Sequence, residues 1–317
     1  MLKKLITVGA IIAGAIAVVI IMERSKEAHE NTFNVSICKV IEHEALNAVV
    51  TGIRDCLGDG DVQYTIDTCQ GNPAIASQII SKFIGKRSNV IVAVGTTPAQ
   101  VAFSCARKGE TKLVFSSVTN PNSISTNLTD TNTTGVSNFV PLEPQVKLFT
   151  EIQPDLRKLG IIYNTGEANS VDIVWNLREA VKGYGVELIE QGIQKASDIP
   201  QAVEALLAKG VDAVFISNDN MALANIPLIV KLCNRVPVYV SDTDQVSKGC
   251  IAALGPNQYD IGIQTGKMIK RILYGEDINA IKIEYPSTTE LHINKTKANK
   301  MGLNIPQTVI DRAVKTY

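Results

Sequence analysis

The chain reads as an α/β protein of two doubly wound parallel-sheet lobes, and three observations predict it. Short β-branched runs alternate with amphipathic segments along the chain, as where Ala213–Ile216 is followed by a helical pattern and then by Val236–Val240. Helical segments, not hairpin turns, join successive runs, so neighbouring strands should be parallel. Two such βα series of similar size follow one another. At 317 residues and 45% apolar, the chain is long enough for both to bury cores.

The N-terminus stands apart. Lys3 and Lys4 precede an uncharged run, Leu5–Met22, which Glu23-Arg24 ends. At helical rise that run spans ~27 Å, close to a bilayer core. It is longer than a cleavable signal usually requires, and no lipid-accepting cysteine follows it, the first cysteine being Cys38. The expectation is a hydrophobic helix that stays attached as a signal-anchor, residues 1–32 forming anchor and linker. Positive residues before the span put the body on the extracytoplasmic side.

In the first series, strand-like Phe33–Val40 leads to a helical face of Ala45, Leu46, Val49, Val50 and Ile53 within Glu42–Leu57. Strand Asp61–Cys69 and helix Ala74–Ile84 follow, with Pro73 at the first turn. Strand Asn89–Val94 ends at Gly95-Thr96-Thr97-Pro98, where Thr97 is the expected N-cap of a helix over Pro98–Arg107. Lys112–Ser116 is the next strand. Asn122–Asn138, rich in Ser, Thr and Asn, reads as a loop and lobe boundary.

The second series has helix Glu143–Ile152, strand Gly160–Tyr163, helix Val171–Gly183 with Trp175 expected in the core, strand Val186–Ile189 and helix Ile199–Ala208. It runs into the two strands of the opening observation. Helix Tyr259–Leu273, strand Ala280–Tyr285 and a short helical tail close the chain.

Charge and motifs exclude several functions. With 31 basic and 31 acidic residues the chain has no nucleic-acid footprint. His29, His43 and His292 lack metal-ligand spacing, so no metal is expected. The nucleophile-elbow, Walker and dinucleotide glycine patterns are missing, and with them the signs of an enzyme or a cofactor. The six cysteines read as small core residues; Cys56–Cys69 and Cys233–Cys250 are the pairs to test for disulfides.

Polar residues gather where strands end, the place open α/β sheets bind ligands. These are Thr96-Thr97, Ser117-Val118-Thr119-Asn120, Glu167–Ser170, Ser217-Asn218-Asp219-Asn220 and Ser241-Asp242-Thr243-Asp244. Hydroxyls at a helix start favour an anion, and carboxylates opposite them favour a cation. Together they describe a pocket for a zwitterion. Glu42 and His43, at the end of the first strand, line the same cleft or cap the first helix.

Several short motifs, in order, resemble one family. They include Val40-Ile41-Glu42-His43-Glu44-Ala45-Leu46-Asn47, Gln70-Gly71-Asn72-Pro73, Val94-Gly95-Thr96-Thr97-Pro98-Ala99-Gln100 and Tyr163-Asn164-Thr165-Gly166-Glu167-Ala168-Asn169-Ser170. Ser217-Asn218-Asp219-Asn220, Pro237-Val238-Tyr239-Val240-Ser241-Asp242 and Ala253-Leu254-Gly255 continue the pattern, as do Gly262-x-x-Thr265-Gly266 and the tail from Ile293 to Pro306. Over residues 33–317 the chain resembles ABC-transporter substrate-binding proteins related to tryptophan and tyrosine uptake.

The resemblance implies a type I periplasmic-binding-protein fold with a three-segment hinge. Lobe 1 would take 33–138 and about 244–278, and lobe 2 would take 139–243 and about 279–317. It implies a monomer that closes on a small ligand, an amino acid (aromatic ones included), and serves a permease and its ATPase. Thr97 and Thr119 would hold the carboxylate and Asp219 or Asp242 the ammonium; Asn164, Glu167, Asn169, Ser170 and Asn220 would add contacts from lobe 2. A sensing module of the same fold and a sugar or nucleoside receptor are the alternatives. Two positions depart from the family: Glu44 stands where Pro is usual, and Asn47 where Asp is usual.

Overall fold

The structure is a computed structural model that describes residues 32–106 and 111–317. The expected anchor at 5–22 lies outside the described residues, and among those described no helix is long and apolar enough to cross a membrane.

The first lobe is a parallel sheet in the order β2-β1-β3-β4-β5. Its strands are β1 (Phe33–Lys39), β2 (Val62–Thr68), β3 (Val90–Val94), β4 (Leu113–Val118) and β5 (Thr133–Ser137). Helices α1 (Glu44–Leu57), α2 (Pro73–Gly85) and α3 (Thr96–Ala106) connect them. Both faces are covered, which is why β3 is apolar throughout: Val90, Val92 and Val94 enter one core while Ile91 and Ala93 enter the other.

The second sheet runs β12-β11-β10-β9-β8-β6-β7. Its strands are β6 (Lys158–Asn164), β7 (Glu187–Ile193), β8 (Ala213–Ile216), β9 (Val238–Val240), β10 (Ala252–Gly255), β11 (Glu290–Ile293) and β12 (Lys315–Thr316). Helices α4 (Leu142–Ile152), α5 (Ala168–Lys182), α6 (Ile199–Ala208), α7 (Asn220–Ala224) and α8 (Ile226–Cys233) cover it. Its two faces again carry separate cores, one centred on the stacked rings of Phe149 and Tyr239, 4.4 Å apart.

After β10 the chain returns to the first lobe as α9 (Gln258–Leu273), packed on α1. The backbones nearly touch: a Cβ at Gly262 would lie 2.2 Å from the Val49 carbonyl oxygen. The chain then crosses once more, past a single bridge between Val136 and Glu284, into β11 and the short helices α10 (Lys295–Lys300) and α11 (Gln307–Ile310).

The structure departs from the sequence reading at several points. Thr133–Ser137, expected as loop, is a buried strand that extends the first sheet beside β4. Residues 280–285 form no strand, only the bridge at Glu284. The return to the first lobe begins near Pro256, not at 244, because β10 pairs with β9 and the 3-10 turn Thr243–Lys248 packs on β10. Strand β11 is antiparallel to β10 in an otherwise parallel ladder. Trp175, expected in the core, is 68% exposed with the Arg178 guanidinium over its ring. All six cysteines are free, and Cys69 shares a core with Cys38 while Cys56 lies elsewhere.

Candidate functional site

A narrow cavity of ≈ 30 Å³ lies where the carboxyl ends of both sheets face each other. That position, at the carboxyl ends of parallel strands, is where open α/β sheets bind ligands.

The first-lobe wall is made by turns that leave β1, β3, β4 and β5. Gly95, at φ +98, turns β3 directly into α3; a Cβ there would meet Val40 Cγ1 at 2.8 Å. Helix α3 therefore starts at Thr96, so Thr97 sits inside its first turn and is not the N-cap. Thr96 lines the cavity, and the Thr96 and Thr97 N–H groups open the helix with no intrahelical partner, Pro98 carrying none and Ala99 N donating to the Gly95 carbonyl, which gives this wall a positive end. Ser117 adopts φ +55, a conformation non-glycine residues seldom take, at a break in the β4–β5 register. There it joins a buried chain of hydrogen bonds. Thr119 Oγ1 donates to Asn138 Oδ1 (3.1 Å), Asn138 Nδ2 to Ser117 Oγ (3.1 Å), and Ser117 Oγ to Gln258 Oε1 (2.9 Å). Gln258 opens α9, so this chain ties the wall to the returning segment.

The second-lobe wall comes from the ends of β6, β8 and β9, with Asn169, Asn218, Asn220, Leu223 and Asp242 on the cavity. Glu167 stays behind it as a clamp. It accepts from Asn220 Nδ2 (2.6 Å), Asn220 N (3.1 Å), Asn164 Nδ2 (3.1 Å) and Asn169 Nδ2 (3.4 Å), thereby holding two lining residues.

Asp219 and Asp242 end neighbouring strands, yet only Asp242 reaches the cavity. Asp219 is 0% exposed; Oδ1 accepts from Ala222 N (2.8 Å) and Oδ2 from Asn164 N (2.5 Å). It caps α7 and binds β6 to β8. Asp242 accepts from Asp244 N (3.0 Å) and Gln245 Nε2 (3.2 Å), which leaves lone pairs open to the cavity. Burial, reinforced by Asp244, lifts Asp242 to about 6. Burial and the nearby Glu167 do the same to Asp219.

The cavity thus gathers His43, Thr96, Thr119, Asn169, Asn220 and Asp242 from the residues read off the sequence. It leaves others out. Glu42 pairs with Lys39 (2.7 Å) and accepts from Thr68 Oγ1, and the Lys39 contact holds it below its ordinary value. Ser170 is buried beneath Asn169, and Asn164 accepts from Gly166 N in a turn. Asn120 reaches across the lobes to Asp172 Oδ2 (2.9 Å). Sequence reasoning missed Ser117, Asn138, Asn218, Leu223 and Gln258; of these, Ser117 and Asn218 stood within strand-end stretches already singled out.

Two further contacts close the cleft: Lys248 Nζ to Glu44 Oε2 (2.8 Å) and Gln245 Nε2 to His43 Nε2 (3.2 Å). A second, smaller void of ≈ 10 Å³ shares Thr119 and Asn218 with the first and is walled by Phe139, Val140, Leu142, Ile173 and Pro256. Among the described residues, no cluster of His, Cys, Asp and Glu could hold a metal ion.

Comparison with known proteins adds the family. The family model described as ABC transporter substrate binding protein matches residues 34–317. A tyrosine-binding protein of Clostridioides difficile (strain R20291) is 26% identical over 287 residues, covering 86% of this chain and 82% of its own. The crystal structure of a conserved domain protein from Vibrio cholerae O1 biovar eltor is 32% identical, with a TM-score of 0.85, covering 90% of this chain and 100% of its own. The structure of the ABC domain in complex with L-Trp from Streptococcus pneumonia also superposes at a TM-score of 0.85, with 24% identity over 90% of this chain and 100% of its own. The chain belongs to the ABC transporter substrate-binding protein family. It is a binding protein, not an enzyme.

Proposed function

We propose that this family member captures a small zwitterion, an amino acid with an apolar or aromatic side chain, outside the cytoplasm and presents it to a permease and its ATPase. One observation carries the reading: a buried carboxylate, Asp242, shares a single cavity with the N-terminus of α3, and the two come from different lobes. The ligand carboxylate would meet the α3 N–H groups and Thr96, and its ammonium would meet Asp242. The apolar residues around the adjoining void, Phe139, Val140 and Leu142 among them, would meet the side chain once the lobes part to admit it. The tyrosine-binding name of the Clostridioides relative and the L-Trp complex of the Streptococcus structure point to the same class. No aromatic ring lines the main cavity among the described residues, which argues against the stacking platform of a sugar site.

Capture needs no bond chemistry. Each lobe supplies half the contacts, so a ligand touching both favours the closed arrangement by its differential affinity. A thermal-shift screen of the full chain against L-amino acids, sugars and nucleosides tests the class. L-tyrosine or L-tryptophan at a hundredfold excess over Kd should stabilise the protein by about 2.7 kcal/mol. Stabilisation by sugars or nucleosides alone would overturn the reading.

A further inference from the structure

One buried amide between the lobes touches two groups that make opposite demands of it. Gln245 is 0% exposed, and its Nε2 lies 3.2 Å from Asp242 Oδ2 and 3.2 Å from His43 Nε2. Its Oε1 is buried with no partner. An amide nitrogen only donates, so with this orientation Asp242 and His43 Nε2 must both accept. Yet His43 Nδ1 already accepts from Ala45 N (3.3 Å) as the N-cap of α1. A neutral imidazole offers one lone-pair nitrogen, so both demands cannot be met together.

Two arrangements are each consistent. In the first, Asp242 is ionised and faces the amide nitrogen; His43 carries its proton on Nδ1, accepts at Nε2, and gives up the cap. In the second, Asp242 is protonated and the amide is turned over. Its oxygen then accepts from both the Asp242 O–H and the His43 Nε2–H, and Nδ1 keeps the cap.

We propose that Gln245 is a positioning residue that couples the proton on Asp242 to the tautomer of His43, so that the cap of α1 in one lobe follows the charge of the cleft carboxylate in the other. Resting on the reading above, a ligand ammonium arriving at Asp242 would expel its proton to solvent and turn the amide. The surroundings fit. Asp242 faces Asp244, Lys248 and Cys250, and His43 faces Lys248, Asp244 and Glu44. His292, bound to Glu290, touches the next backbone carbonyl at Thr243 (3.2 Å). Burial, then Lys248, holds the His43 ring below its ordinary value, which favours its neutral form.

The test is long-range ¹H–¹⁵N correlation on the ¹⁵N-histidine-labelled full chain from pH 4.5 to 8, without ligand, His43 being assigned with H43N. His43 should pass from the Nε2–H to the Nδ1–H form as pH rises through about 6, the value to which burial lifts Asp242. In isosteric D242N and in Q245M the transition should vanish while His292 signals persist. Ordinary protonation of both ring nitrogens, or a transition unchanged in both variants, would overturn the proposal. Titration calorimetry with L-tyrosine and L-tryptophan in buffers of different ionisation enthalpy separates it from the function: a tautomer switch without proton release on binding leaves the relay standing and removes the ammonium from Asp242.

Discussion

Ser217-Asn218-Asp219-Asn220 and Ser241-Asp242-Thr243-Asp244 look interchangeable in sequence, and the structure gives them different work. Both end neighbouring parallel strands and both bury an aspartate lifted to about 6. Asp219 spends each oxygen on a backbone N–H, one from its own helix and one from the end of β6. Asp242 spends one on a backbone N–H and the other on a side-chain amide that can turn. The first carboxylate is therefore a fastener, and the second is the charged face of the cleft. Strand-end position identifies candidates; the partners already bound decide which one is free for a ligand.

The largest effect that would sharpen this contrast is on binding. D242N should weaken L-tyrosine or L-tryptophan binding by at least ~100-fold, since removing one partner of a buried charge pair costs about 3–5 kcal/mol. D219N should change it less than ~10-fold. Calorimetric Kd values for both variants check this, and equal losses would erase the distinction.

Stability should separate the two variants as well. Holding Asp242 at about 6 against an ordinary 3.8 corresponds to ~3 kcal/mol of lost stability at neutral pH, which an asparagine avoids while keeping the cap to Asp244 N. Ligand-free D242N should accordingly melt above the parent at pH 7.5. D219N gains the same relief but strands one N–H, because one oxygen cannot serve both Ala222 N and Asn164 N; that costs about 1–3 kcal/mol, so its melting point should rise less than that of D242N. The pH profile carries the same sign. Between 3.8 and about 6 the native state holds protons that the unfolded chain has released, so stability falls as pH rises through that window and stays lower above it. Denaturant midpoints from pH 4 to 8 should show a shallower fall in D242N.

The smallest effects lie outside the cavity. E44A removes the pair to Lys248 across the lobes, but Glu44 is largely exposed, so about 0.2–1 kcal/mol and under threefold in Kd are expected. W175A should leave binding unchanged and shift stability by no more than ~0.5 kcal/mol, because the indole lies on the surface.

The parts of this molecule written in local pattern were legible. Continuous apolar runs flanked by polar turns gave β3, β4 and β8, and the acids and hydroxyls after them gave much of the cleft. What depends on distant partners was not. Thr133–Ser137 is polar enough to pass for loop and becomes a strand because β4 and Glu284 satisfy its backbone. Gln258 enters the wall only because α9 returns across the molecule, held by glycine contacts with α1. Ser117 takes a left-handed backbone for which no short-range signal exists. The departures from family pattern become legible only in three dimensions: Glu44 meets Lys248 of the other lobe, and Asn47 meets the buried Lys39 (2.6 Å).

The most direct measurement compares the better binder of L-tyrosine and L-tryptophan with its decarboxylated amine and its deaminated acid, by calorimetry on the parent chain and D242N. On the parent, each singly charged analogue should bind at least ~100-fold more weakly than the amino acid, and in D242N the amino acid should lose its advantage over the deaminated acid. If the deaminated acid bound the parent as tightly as the amino acid, Asp242 would hold no ammonium and the zwitterion clamp would be contradicted.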